Sequence, residues 1–488
     1  MRLLTQQQER TVRGAFSLLW VVLVVFAPAA LFYFAVPLSV VNVVYWISIV
    51  SISITNLAIF LELLLAPFWD RYIERSKAGP VDFGTRHIVA MVSAYLPNEI
   101  DILSDTIQRM INADRPTEHT MLTVLIDHNG GKPDQVKRLE GIVAGFNAEL
   151  GPDSPVRVVE VENKESRSKA ENINYALDYM ARMQPPPEMV ALYDADHQPA
   201  PDVFVLAAGR LESSGADVLQ GRAIIHQGYP LIALEYDIIY TVFWNGGQLL
   251  RGWGLFGGSN GYWRFEVLSQ IGMDETRLTE DIDSSFRALR AGYLIEYDSS
   301  LRSYEEAPPT LYDLFRQRLR WAQGWGEVTE AHSGVIFAAN PYFTLLSRIG
   351  VFLLLPWREV TAVYISHQAL LAGAASVIRC GGIECINKPL LFFAAQLLII
   401  PWLNVVMAYK LSRGFRHPDL RWWHYVLYAV LSPVYETVKF LTSVLAHGRN
   451  LAGMKNWRVT KRKEADAKSV PSDLSSASGS TAETMSVA

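Results

Sequence analysis

The chain has 488 residues, half of them hydrophobic, with only 19% charged and a formal net charge of −5. It is longer than one ordinary domain and short of the roughly 25% charge typical of soluble domains, so part of it is expected to sit in a membrane. No long basic run and no basic–aromatic interleaving supports a nucleic-acid partner, and two cysteines, Cys380 and Cys385, are too few for a metal cluster or a disulfide framework.

Residues 14–36 form an uncharged run long enough to cross a bilayer. A second uncharged run covers 40–61 and continues apolar past Glu62 to Trp69, which predicts a transmembrane helix pair turning at Pro37. Arg2, Arg10 and Arg13 precede the pair and Arg71, Arg75 and Lys77 follow it, so both flanks are expected in the cytoplasm. From residue 86 to about 340 no apolar run reaches span length. Apolar stretches return at 343–378, 389–409 and 423–446. The basic segment at 455–463 calls for an even number of spans, whereas hydropathy alone suggests two plus three; 343–378 reads either as an interfacial helix plus a span or as two short spans, and 423–446, with Pro433, Glu436 and Lys439, as re-entrant. The Ser/Thr-rich tail from Ala465 has the composition of a disordered segment. The cysteine pair lies in a short loop between apolar segments, where two free thiols are the plainer expectation and a disulfide the alternative.

Within the polar block, residues 87–95, 120–127, 155–162 and 189–196 read as strands, and helical periodicity falls between them at 98–113 and 168–183. Strand–helix alternation predicts a largely parallel, doubly wound α/β sheet, whose ligands bind beyond the carboxyl ends of the strands. Asp127 and the pair Asp194 and Asp196 stand at such ends. An Asp-x-Asp there offers hard oxygen ligands to Mg²⁺ or Mn²⁺ with substrate phosphates, or serves as a solvated turn. Two like charges so close imply a cation between them. Thr279, Glu280 and Asp281 open a helix, either as ordinary capping or with one carboxylate as general base. The amphipathic helix at 311–328 carries Arg316, Arg318, Arg320, Trp321 and Trp325, suiting either an interfacial anchor or an arginine gripping diphosphate beside a sugar-stacking indole. The glycine-rich 256–264 suits close backbone approach to a ligand. Neither a dinucleotide GxGxxG nor a P-loop is present.

Asp127, Asp194-Ala195-Asp196, Thr279-Glu280-Asp281 and Gln317-Arg318-Leu319-Arg320-Trp321, in that order between membrane segments, resemble the membrane-integrated processive family 2 glycosyltransferases, among them cellulose, curdlan, hyaluronan and poly-N-acetylglucosamine synthases. The resemblance implies a GT-A catalytic domain inserted between transmembrane helices: 1–85 a helix pair, 86–310 the catalytic domain, 311–342 the interfacial helix, 343–447 a membrane region and 448–488 a basic segment and tail. It implies an inverting hexosyl transfer from a UDP-sugar, UDP-glucose or UDP-N-acetylglucosamine, to a growing β-linked polysaccharide at the plasma membrane, with Mg²⁺ or Mn²⁺ as cofactor. Asp127, Lys169, Asp194 and Arg320 would hold the donor, Asp196 the metal, Gln317 and Trp321 the acceptor. Asp281 would be the base, flanked by Thr279 and Glu280. The chain reads "LIDHNGG" where many members have Asp-Asp-Gly, and its other motifs divide between cellulose and poly-N-acetylglucosamine synthases, leaving the sugar open. Trp457 and Thr460 resemble the closing Trp-x-x-Thr of many members. The competing readings are a non-processive enzyme acting on a membrane lipid and, from another class, an inactive scaffold or transporter.

Overall fold

The computed structural model describes residues 6–76, 83–385 and 388–454. The Arg2 and Lys77 flanks, the Trp457–Thr460 segment and the Ser/Thr-rich tail lie outside these residues.

Two apolar helices come first, α1 (Thr11–Phe34) and α2 (Leu38–Arg75). Pro37 stands at the N-cap of α2, where its fixed φ and missing N–H cost nothing. The polar block folds as a three-layer α/β unit around one eight-stranded sheet. Its strands are β1 (His87–Tyr95), β2 (Met121–Asn129), β3 (Val156–Glu162), β4 (Met189–Asp194), β5 (Gln198–Pro199), β6 (Val218–Gln227), β7 (Gly261–Arg264) and β8 (Ile295–Glu306), in the order β3-β2-β1-β4-β7-β6-β8-β5.

The four strands anticipated from the sequence pair in parallel, but the sheet as a whole is mixed. β7 runs antiparallel to both β4 and β6, and β5 antiparallel to β8. With β6 and β8 also parallel, the sheet is largely parallel as expected, and it departs from that at the glycine-rich segment and at β5. Gly261 admits the Phe256 ring where a side chain would stand, so residues read as a ligand loop turn back and enter the sheet as a strand.

Side-chain alternation along the strands builds a core on each face. Ile88, Ala90 and Val92 of β1 face helices α3 (Leu103–Ile111), α4 (Pro133–Leu150) and α6 (Val203–Ser214). Val89 and Met91 face α5 (Lys169–Met180) and, further along, Phe286 and Leu289 of α8 (Glu280–Ala291). Between α6 and α8 lies α7 (Pro230–Ile238), which continues helically through Ile239–Trp244 and Asn245–Arg251.

After the sheet come α9 (Leu311–His332), α10 (Leu345–Cys380), α11 (Lys388–Leu411) and α12 (Trp422–Leu451). Among the described residues four helical segments are long and apolar enough to cross a membrane: α1, α2, α10 and Ala394–Leu411 within α11. Their outward faces carry large apolar side chains such as Leu23, Phe26, Leu57 and Leu398, a surface suited to lipid. Residues 345–380 run as a single helical segment, broken neither at Pro356 nor at Arg358. Against it, Ala369, Ala372 and Ala375 pack on Tyr45, Ile49 and Ile52 of α2, small residues permitting close approach. Cys380 is disulfide-bonded and the other cysteine of the chain is Cys385, which overturns the free-thiol expectation. Gly381, at φ 80°, ends α10 in a left-handed turn and folds the short loop back on itself.

The catalytic-sized block docks rigidly on α2. Glu62 pairs with Arg251, Trp69 Nε1 donates to the Tyr297 carbonyl at 2.9 Å, and Ser299 Oγ donates to Asp70 at 3.1 Å. Gly246 lies so close to α2 that a Cβ would overlap the Glu62 backbone. Gly246→Ala is therefore expected to destabilise by about 1–3 kcal/mol or more, read as a lower melting temperature in detergent. Gly145→Ala, whose Cβ meets open space in α4, is the neutral control.

Candidate active site

The carboxyl ends of the parallel strands open into a cavity of about 500 Å³. Ser93 at the end of β1 is in register with Asp127 on β2 and Asp194 on β4. Ser93 and Asp194 line the cavity. Asp127 lies behind the wall, accepting from Ser93 Oγ at 3.0 Å. Burial pushes the Asp127 pKa up to about 7 against the Ser93 hydrogen bond.

A protein cation stands beside one of the two aspartates: Lys169, the first residue of α5. Ser168 Oγ caps that helix by accepting from Glu171 N at 3.2 Å. Lys169 Nζ pairs with Asp194 and donates to the Gly258 carbonyl at 2.6 Å. Burial opposes the ammonium, but Asp194 and then Glu280 outweigh it and hold its pKa above the usual value. Ser259 Oγ accepts from Asp194 N at 3.1 Å, so the glycine-rich segment fixes the Asp-x-Asp turn from one side.

Asp194, Asp196 and His197 bring ligand atoms within 4.8 Å of one another. His197 is engaged at both ring nitrogens, by Glu305 and by Ser303 at 3.1 Å. Burial opposes its charge, but Glu305 prevails and holds the imidazole pKa up at about 9. The two carboxylates are therefore the donors that suit a divalent ion, and their hard oxygens fit Mg²⁺ or Mn²⁺.

Opposite stands the start of α8. Thr279 occupies the N-cap, yet its side chain makes no capping bond, and its Oγ1 has no hydrogen-bond partner among the described residues. Thr279 thus caps the helix through its backbone, with Glu280, Asp281 and Asp283 in the first turn, and its hydroxyl is left to face the cavity. Asp281 Oδ1 accepts from Ile282 N at 2.9 Å, and Gly258, at φ 91°, leaves room for its carboxylate: a Cβ there would come within 2.8 Å of Asp281 Oδ2. Burial and then the Glu280 charge raise the Asp281 pKa to about 7, while Lys169 and Arg320 pull the other way.

Helix α9 closes the cavity, started by Thr310 Oγ1 accepting from Asp313 N at 3.1 Å. Gln317, Arg318, Arg320, Trp321 and Trp325 all line it. Arg320 donates to the Leu278 carbonyl at 3.0 Å. Gln317 Oε1 is buried without a hydrogen-bond partner among the described residues, a state costing about 1–3 kcal/mol that a hydroxyl ligand would relieve. Arg318 lies over the Trp321 ring at 4.3 Å and bonds Glu235 at 3.0 Å. Glu235 in turn accepts from Tyr435 of α12 at 2.9 Å. A helix that read equally as an interfacial anchor is therefore largely a cavity wall.

The cavity thus gathers Lys169, Asp194, Asp196, Thr279, Glu280, Asp281, Gln317, Arg320 and Trp321, with Asp127 one layer behind. Glu235, Tyr240, Trp244, Glu305 and Lys439 also line it and went unforeseen. Lys439, a charge inside an apolar stretch, was the one with a visible signal.

The family profile described as Glycosyl transferase family group 2 matches residues 189–441. The chain belongs to this family. The glycosyltransferase match includes Asp194, Asp196, Asp281 and Trp321, while Asp127 and Lys169 precede it. Among curated relatives, the probable glucomannan 4-beta-mannosyltransferase 7 of Oryza sativa subsp. japonica is 25% identical over 284 residues, 56% of this chain and 46% of that protein. The probable glycosyltransferase YdaM of Bacillus subtilis (strain 168) is 23% identical over 242 residues, 48% of this chain and 54% of that one. The chain spans about half the length of these curated relatives. The mannosyltransferase PcManGT from Pyrobaculum calidifontis, solved in complex with GDP-Man and Mn2+, superposes with a TM-score of 0.51 at 16% identity, covering 75% of this chain and 98% of that one. The fold is GT-A-like.

The raised Asp281 sets an expected pH dependence. Below about 7 its carboxyl is protonated and accepts no proton, so kcat/KM is expected to climb with an acid limb near pH 7. Glu280→Gln removes a charge that raises Asp281 and is expected to move that limb to lower pH. Asp127→Asn is expected to leave it in place. These limbs are read from pH–rate profiles of sugar transfer.

Proposed function

We propose that this glycosyltransferase transfers a hexosyl group, with inversion, from a UDP-sugar to the end of a growing β-linked polysaccharide, and exports the product through its membrane helices. The observation that carries the reading is the convergence, on one cavity, of an acidic pair beside a lysine, a buried carboxylate whose pKa lies near 7, and a wall of arginine, glutamine and indole. Asp281 accepts the proton of the acceptor hydroxyl as that oxygen attacks the anomeric carbon. The bond from that carbon to the diphosphate oxygen breaks, and the nucleoside diphosphate leaves with the electron pair. Lys169 and Arg320 stand where its negative charge develops. Asp196, with Asp194, would hold a divalent metal that neutralises diphosphate charge. Gln317 and Trp321 receive the acceptor sugar by hydrogen bond and ring contact, and Asp127 supports the nucleotide end through Ser93.

The four apolar helices support a multi-pass membrane protein. Arg379 donates to the Phe32 and Val36 carbonyls at 2.6 and 2.7 Å, which sets the cysteine hairpin by the α1–α2 turn, away from Arg71 and Arg75. A disulfide belongs on an oxidising side and basic flanks on the cytoplasmic side. Both support a catalytic domain facing the cytoplasm of the plasma membrane. A second donor, GDP-mannose, is favoured by the names of the mannosyltransferase relatives.

The test is a panel of UDP-glucose, UDP-N-acetylglucosamine and GDP-mannose, with linkage and size analysis of the product. Polymer from a UDP-sugar is expected; a short glycolipid from every donor would replace the polysaccharide reading. In the same assay Asp281→Asn is expected to lose about 10²–10⁴-fold in kcat with nucleotide affinity retained. Asp196→Asn is expected to lose transfer and its response to added Mn²⁺.

A further inference from the structure

The segment bearing Asp281 opens α8. Its N-cap makes no side-chain bond, and the residues before it, Asp274–Leu278, form no regular element. Asp274 turns this stretch by accepting from Thr276 N at 2.9 Å, and the adjacent face of α9 grips its end. Arg320, Gly324 and Glu327 are spaced to fall on one side of that helix, stacked over two turns. Arg320 donates to the Leu278 carbonyl at 3.0 Å. Glu327 Oε2 accepts from the Leu278 backbone N–H at 3.1 Å. Between them, Gly324 lets the helix approach until a Cβ would overlap the Thr279 side chain. One turn on, His332 bonds Asp283 of α8 at 2.7 Å. Both polar groups of the Leu278 peptide backbone are thus gripped by one helix, three residues before the base.

We propose that Glu327 is a positioning residue for the transfer reaction, acting through the Leu278 amide to hold Thr279–Asp281 at the angle from which the carboxylate reaches the acceptor hydroxyl. The proposal rests on Asp281 being the base. Glu327 is buried and does not line the cavity, so it touches neither donor nor acceptor. Its contribution needs an acceptor atom at a fixed distance from the helix, not a negative charge. Glutamine preserves that atom; aspartate withdraws it by one methylene; leucine removes it and leaves the buried amide unsatisfied.

The experiment measures kcat and donor KM for Glu327→Gln, Glu327→Asp and Glu327→Leu in full-length protein, with nucleotide affinity as the check on folding and Asp281→Asn run in parallel. Expected are near wild-type kcat for Gln, a loss of about 10-fold for Asp and about 10²-fold for Leu, the scale of a misplacement near 1 Å, with donor KM and nucleotide affinity unchanged in all three. A Gln variant as slow as Leu would make the charge, and not the hydrogen bond, the agent, and would overturn the proposal. So would wild-type kcat in Asp and Leu, or a rise in KM at constant kcat. If the Leu variant does not fold, the Gln–Asp contrast decides alone. Full activity in Asp281→Asn would instead remove the underlying assignment of the base, whatever Glu327 does.

Discussion

The site depends on one buried ammonium. Lys169 sits where β4, the glycine-rich segment and the start of α8 meet, paired with Asp194 and bonded to Gly258. Without it, Asp194, Asp196, Glu280 and Asp281 would crowd four like charges around one cavity with no ammonium among them. With it, Asp194 has a paired cation, and Asp281, raised to about 7 by burial and then by Glu280, is drawn back toward its ionised form. The same cation thus acts on carboxylates from both sides of the cavity. Its own position is fixed by the Ser168 cap of α5 and by a carbonyl that only a left-handed glycine turn can present.

Helix α9 connects this chemistry to the apolar half of the chain. One face carries Gln317, Trp321 and Arg320 to the cavity. Another is bolted to α12, where Gln323 bonds Asn450 and the Met454 carbonyl at 3.3 and 3.0 Å. Arg318 and Glu235 are each nearly buried and satisfy one another, with Tyr435 from α12 completing the set. Breaking one partner of such a pair leaves an uncompensated charge, so the junction between catalytic block and C-terminal helices is polar, specific and poorly suited to sliding.

Much of this was legible in the sequence, for physical reasons that also mark the limits. β1, β2 and β4 were readable because central parallel strands are continuous apolar runs, and their ends were marked by acids that have no business in a core. The membrane helices announced themselves by length. β7 did not, because a four-residue strand between β4 and β6 inside a glycine-rich stretch carries no alternation to read. Glu235 with Arg318, 83 residues apart, and His197 with Glu305 are ion pairs made only by the fold. The cysteine pairing depended on a left-handed turn at Gly381 that spacing does not reveal. Thr279 was ambiguous for a different reason: the residues that cap a helix are also those that serve a site, and here one residue stands at the N-cap and on the cavity wall.

Helix α2 is both long and apolar enough to cross a bilayer and the floor on which the sheet stands, through Arg251, Tyr297 and Ser299. When a membrane helix meets a bilayer thinner or thicker than its apolar length, it tilts, and here the sheet must turn with it. Lipid acyl-chain length then becomes a variable of catalysis. It sets the height and inclination of the strand ends above the headgroups.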